Sequence, residues 1–157
     1  MLDIKVSIEN KEVVINGLNK LASEMPNAIK RGLKRVAVGI YGNAFQWLSG
    51  PGAKASDIPG GGYPVPVRTG HLRRSLDWLG PGESKTGDLG TFTAADDEVV
   101  IFDSASYAPD IFLGRGSSSS YGPRDALRDA LDYFNHGANI QQILGEEIRK
   151  EINKNAT

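Results

Sequence analysis

Residues 26–48 read PNAIKRGLKRVAVGIYGNAFQWL, and this stretch sets the architecture. Its apolar positions are Ile29, Leu33, Val36, Ile40, Ala44 and Trp47. Steps of three and four residues place them on one side of a helix. Pro26 is suited to the first turn, where its missing N–H would have no partner anyway, and Ser23 stands upstream as a cap. The pattern therefore predicts a long amphipathic helix from Pro26 to about Leu48. Gly32, Gly39 and Gly42 lie inside it, each costing up to about 1 kcal/mol relative to Ala. Close packing against another element is the expected return. Lys30, Arg31, Lys34 and Arg35 form a basic face, most simply a solvated one.

Upstream, Leu2, Ile4, Val6 and Ile8 alternate with Asp3, Lys5 and Ser7, the period of a strand with one wet face. Asn10-Lys11 reads as a turn and Val13–Ile15 as a short extended piece. Asn16 reads as the cap of a short helix carrying Leu18 and Leu21. Downstream, residues 49–66 contain nine Gly or Pro among eighteen, which excludes a helix or a central strand and predicts a long loop. Thr69 is positioned to cap a helix over 70–79, with Leu72, Leu76 and Leu79 on one face. Residues 88–93 and 97–103 read as a hairpin about Ala94–Asp97, the apolar run Val99–Phe102 marking a central strand. Tyr107–Leu113 reads as an edge strand because of Pro109. Residues 114–122 form a Gly/Ser loop. Pro123 opens a helix with Leu127, Leu131 and Phe134 inward, and Asn135-His136-Gly137 ends it. A last helix carries Ile140, Ile143, Leu144, Ile148 and Ile152, with Glu146 and Glu147 ahead of Lys150 at ion-pair spacing; 153–157 is expected to fray. The predicted class is α+β: a long N-terminal helix and C-terminal helices on a small, mainly antiparallel sheet, in one domain spanning 1–157.

Composition narrows the chemistry. The chain has 157 residues, 18 basic against 19 acidic, and no cysteine. Disulfide scaffolds, Cys-zinc sites, iron–sulfur clusters and cysteine nucleophiles are excluded. A net charge of −1 argues against a whole-molecule grip on nucleic acid, while leaving room for a local patch. The N-terminus has charges breaking each apolar run and predicts no signal peptide, and no window is apolar enough to span a membrane. There are only two histidines, His71 and His136, with no G-x-S-x-G and no His pair at metal-ligand spacing. Residues 80–86, GPGESKT, lack the Gly before Lys85 and the strand–helix context of a phosphate loop. Asp96, Asp97 and Glu98 read as a solvated turn. No catalytic, cofactor or metal site is expected. Arg68, Arg73 and Arg74 gather about His71, with Tyr63 and Trp78 the only aromatic neighbours, too few for a base-stacking surface. An acidic face on a neighbouring subunit is the better-matched partner.

The order of segments carries a further signal. A basic amphipathic helix leads to Pro66-Val67-Arg68-Thr69-Gly70-His71-Leu72, then a hairpin, then Tyr107-Ala108 with Gly114 six residues on, then a Gly/Ser loop, Pro123 and helices. This resembles the tail-completion, or head–tail joining, proteins of long-tailed bacteriophages over about residues 13–135. Their recurrent pattern is P-x-x-T-G-x-L after a long helix, then Tyr-Ala, an acidic residue and Gly. The chain departs from it with Arg68 at a position usually Asp and Phe112 at a position usually Glu. The link over 49–62 is also longer, and the stretch before the last helices is shortened to Gly122-Pro123-Arg124.

The resemblance implies a non-enzymatic virion protein, made in the host cytoplasm and placed at the neck-proximal end of the tail. It implies a homo-oligomeric ring, six-fold by expectation, contacting neighbouring tail and neck proteins and the passing genomic DNA. Arg68, His71, Arg73, Arg74, Tyr63, Phe112, Arg115 and Arg124 are the expected interface. Pro66, Thr69, Gly70, Leu72, Tyr107, Ala108 and Gly114 are the expected structural residues of the motif. The alternative expectation is a nucleic-acid-binding module using the basic residues of 30–35 and 68–74.

Overall fold

The computed structural model describes residues 11–48, 70–113, 125–136 and 139–155. The predicted strand over 2–8, the loops over 49–66 and 114–122, and Tyr63, Pro66, Arg68, Thr69, Gly114, Arg115, Pro123 and Arg124 lie outside the described residues. The class is α+β. In chain order the elements are α1 (Lys11–Trp47), α2 (His71–Ser75), β1 (Leu76–Leu79), β2 (Ser84–Gly87), β3 (Gly90–Thr93), β4 (Val100–Asp103), α3 (Ala108–Leu113), α4 (Ala126–Asn135) and α5 (Asn139–Asn155).

The predicted long helix is present and starts earlier than expected. α1 runs 37 residues, about 55 Å at 1.5 Å per residue, and absorbs the segments read as a turn, an extended piece and a separate short helix. Pro26 lies inside it rather than at its start. An interior proline removes the N–H that would reach the carbonyl of Ala22, a cost of about 3 kcal/mol in an isolated helix. The Ser23 hydroxyl bonds the carbonyl of Lys20 at 2.8 Å instead of capping a new helix. The first turns line an open groove with the end of α5, formed by Val14, Gly17, Leu18, Leu21, Ile152 and Asn155.

α5 lies antiparallel along α1, as the cross-helix pairs Arg31–Glu151 and Arg35–Glu147 require. Two of the four α1 glycines mark close approach. A Cβ on Gly32 would stand 2.7 Å from a Leu144 methyl, and one on Gly39 would overlap the Phe134 ring. Gly42 faces open space. The main core gathers Val36, Ile40, Ala44, Trp47 and Leu48 with Leu72, Leu76, Ala105, Ala108, Phe112, Ala126 and Ala130. Ile29, assigned to the inner face, is partly exposed, and Ala28 is buried in its stead.

The expected helix over 70–79 ends at Ser75. Leu76–Leu79 pairs with Val100–Asp103 in an antiparallel ladder, Leu76 opposite Asp103 and Leu79 opposite Val100. The Leu72, Leu76, Leu79 spacing fits a helical face, but Leu76 and Leu79 are buried from a strand, one in each of two clusters. β4 is not central: among the described residues it has one neighbour, β1. The hairpin is instead β2–β3, turning at Asp88-Leu89, with Ser84 opposite Thr93. The Phe92 ring stacks on Phe102 at 4.0 Å between centroids and joins the two ladders. Residues 108–113 are helical rather than an edge strand, since Pro109 suits a first helical turn.

α4 buries Ala126 and Ala130, with Phe134 partly buried; Leu131, expected inward, is largely exposed. Ile152 is likewise exposed, and the helix expected to fray after it continues to Asn155. Among the described residues no helix is long and apolar enough to cross a membrane.

Candidate functional site

The P-x-x-T-G-x-L stretch enters the described structure at Gly70. Its φ of 68° is a left-handed conformation that glycine adopts without steric cost, and it occupies the capping position of α2. Among the described residues no side chain caps the helix. Leu72 is buried in the main core and fixes which face of α2 turns outward. Arg73 lays its guanidinium 5.4 Å from the centre of the Phe45 ring on α1. Arg74 is exposed and, among the described residues, has no ion-pair partner. His71 Nε2 lies 3.6 Å from an Asp88 carboxylate oxygen in the β2–β3 turn, and its ring lies 5.9 Å from that of Tyr107.

The end of α2 is fastened to β4. Ser75 Oγ is 2.7 Å from Asp103 Oδ1, and the Ser75 carbonyl accepts the Ser104 N–H at 3.1 Å. Asp103 Oδ1 also accepts the Ala105 N–H at 2.9 Å. Burial pushes the Asp103 carboxyl above the ordinary carboxylate range, against the pull of those two hydrogen bonds.

Of the expected interface residues, the fold brings His71, Arg73 and Arg74 together on α2, with Tyr107 beside His71. Phe112 does not join them: it is buried in the core among Ala105, Ala108 and the α1 side chains, so it is corrected from an interface to a packing residue. Ala108 is buried at the start of α3, and Tyr107 is about one-third exposed.

The other basic cluster is internally neutralised. Arg31 Nη2 meets Glu151 at 2.7 Å and Arg35 Nη1 meets Glu147 at 2.8 Å, with Glu146 taking the second Arg35 nitrogen at 3.1 Å. Glu147 and Glu151 are buried; Lys150 and then Arg35 and Arg31 hold the Glu147 carboxyl down to about 2. Lys34 reaches Glu83 at 2.9 Å and Lys30 reaches Asp96 at 3.4 Å, so α1 also tethers the two loops flanking the hairpin. These four cations remain largely solvated, as expected, and each also reaches a carboxylate on another element.

The pairing was open to discovery from spacing: Arg31 and Arg35 are four apart, as are Glu147 and Glu151, which matches two antiparallel helices. Nothing in the local sequence around Ser75 or Asp103 signals their contact, which joins residues 28 apart. Among the described residues no three of His, Asp and Glu converge as metal ligands. The arrangement is a short helix, anchored by Leu72 in the core, that carries Arg73 over Phe45 and an exposed Arg74. Comparison with models of protein families, with curated proteins and with solved structures finds no match.

Proposed function

We propose that the chain is a structural virion protein of a tailed bacteriophage, a tail-completion or head–tail joining subunit that forms a ring at the neck-proximal end of the tail. The observation that carries the reading is the motif that ends in Gly70-His71-Leu72. Its leucine is anchored in the core, its glycine turns the chain, and it delivers Arg73 and Arg74 to an outward face. Two further features support association. Each described strand has a single hydrogen-bonded neighbour, and two-stranded ladders gain from further pairing. Val13, Leu18 and Ile152 expose apolar surface along the α1–α5 end.

The nucleic-acid alternative draws less support, because Lys30, Arg31, Lys34 and Arg35 already face carboxylates. Phosphate binding would have to break those pairs.

Native mass spectrometry of the purified chain at low and moderate salt tests the ring. A closed oligomer, six-fold by expectation, supports it. A monomer at every concentration, with salt-dependent binding to DNA, overturns it in favour of the alternative.

A further inference from the structure

We propose that Asp103 and Ser75 form a protonation-dependent latch that seats α2, and the arginines it carries, on β4. The latch rests on the side-chain geometry and does not depend on the virion reading.

Ser75 has one hydroxyl proton and three acceptors in reach: the His71 carbonyl at 2.8 Å, the Leu72 carbonyl at 3.1 Å and Asp103 Oδ1 at 2.7 Å. If Asp103 is ionised, the hydroxyl must choose between the carboxylate and the helix carbonyls. Either choice leaves an acceptor facing an acceptor at hydrogen-bond distance. If Asp103 is neutral, the conflict at the carboxylate is relieved, with Oδ1 still accepting the Ala105 N–H. Its Oδ1–H donates to Ser75 Oγ, and Ser75 donates on to the His71 carbonyl.

The second oxygen points to the same state. Asp103 is 5% exposed, and its Oδ2 is buried with no hydrogen-bond partner among the described residues. A full negative charge there would be partly uncompensated, whereas a neutral carbonyl oxygen left unpaired costs far less. The charged and titratable groups around the latch are few. Burial raises the Asp103 carboxyl, and among the described residues His71, on the first turn of α2, is the titratable neighbour whose field opposes that rise. Asp88 from the β2–β3 turn and the Tyr107 ring stand against His71 from its other sides.

The consequence has a definite sign. A carboxyl raised by folding contributes stability that is fully present below its unfolded value and is lost as pH rises through its folded value. Seating of α2 is therefore tight in mild acid and loosens as Asp103 ionises. The Ser104 N–H, bonded to the Ser75 carbonyl, and the Arg74 N–H, bonded to Gly70, report the seat directly.

Two measurements on the full chain test it. The first is carboxyl-carbon NMR titration of Asp103. A midpoint above the ordinary value of about 3.9 is expected, and one at or below it overturns the latch. The second is hydrogen exchange of the Ser104 and Arg74 amides, corrected for intrinsic rates. Protection should be higher below the measured Asp103 midpoint than above it, and the change should follow the titration. Asp103→Asn fixes a neutral side chain and should flatten the profile; an unchanged pH dependence in that variant overturns the proposal. Ser75→Ala removes the relay and should flatten it at low protection. It supplies the same discrimination if the Asn variant does not fold.

Discussion

Arg31 of α1 and Glu151 of α5 meet at 2.7 Å across 120 residues of sequence, with the carboxylate 3% exposed and the guanidinium half in water. One helical turn away, Arg35 and Glu147 repeat the contact at 2.8 Å. Lys150 and Lys154 also reach these carboxylates from α5 itself, so it is the two arginine contacts that cross between the helices and favour one register.

Acid should open these contacts. The Glu147 carboxyl is held down to about 2 from an ordinary 4.5, first by Lys150 and then by Arg35 and Arg31. A depressed carboxyl contributes stability that is present above its unfolded value and lost as pH falls through its folded value. Thermal melts should therefore fall between about pH 4.5 and about pH 2. Glu147→Gln should lower the melting temperature at neutral pH and flatten that acid limb; an unaltered limb would separate Glu147 from the acid response.

The α1 glycines should respond in opposite directions. Gly39→Ala drives a methyl into the Phe134 ring and should cost about 1–3 kcal/mol in denaturant unfolding. Gly42→Ala meets nothing and should stabilise by up to about 1 kcal/mol through helix propensity.

The Phe92–Phe102 stack is the apolar link between the two ladders. Phe92 is partly exposed, so Phe92→Ala should cost about 2–3 kcal/mol, below the figure for a fully buried ring. Amide exchange should quicken across Ser84–Thr93 first, with α1 and α5 keeping their protection.

Arg74→Glu separates binding from folding. The side chain is exposed and makes no ion pair among the described residues, so the melting temperature should stay within about 1 °C, as for a surface change of under 0.5 kcal/mol. Oligomer formation in native mass spectrometry should nevertheless weaken. Arg73→Glu should do both, because it also removes the contact over Phe45.

Much of this molecule was legible in its residues. The apolar spacing over 26–48 specified a long helix, because a 3.6-residue period read over many turns is hard to produce otherwise. The expected end of that helix near Leu48 agrees with its last residue, Trp47, and α5 followed from its isoleucines. Gly32 and Gly39 announced close packing, and the motif at Gly70 announced a turn. Tertiary structure decided where local propensity is weak or shared. Leu76 and Leu79 fit a helical face and a buried strand equally well, and only Val100–Asp103 as a partner chose the strand. Pro26 should end a helix, yet α1 passes through it, with its first turns set against Ile152. Of the basic residues of 30–35, Arg31 and Arg35 met Glu151 and Glu147 only once α5 folded back, and Lys30 and Lys34 met Asp96 and Glu83 from the loops flanking the hairpin. Each of these outcomes depends on a group distant in sequence. Spacing reports which side of an element is apolar; what faces that side is settled only when the chain folds back.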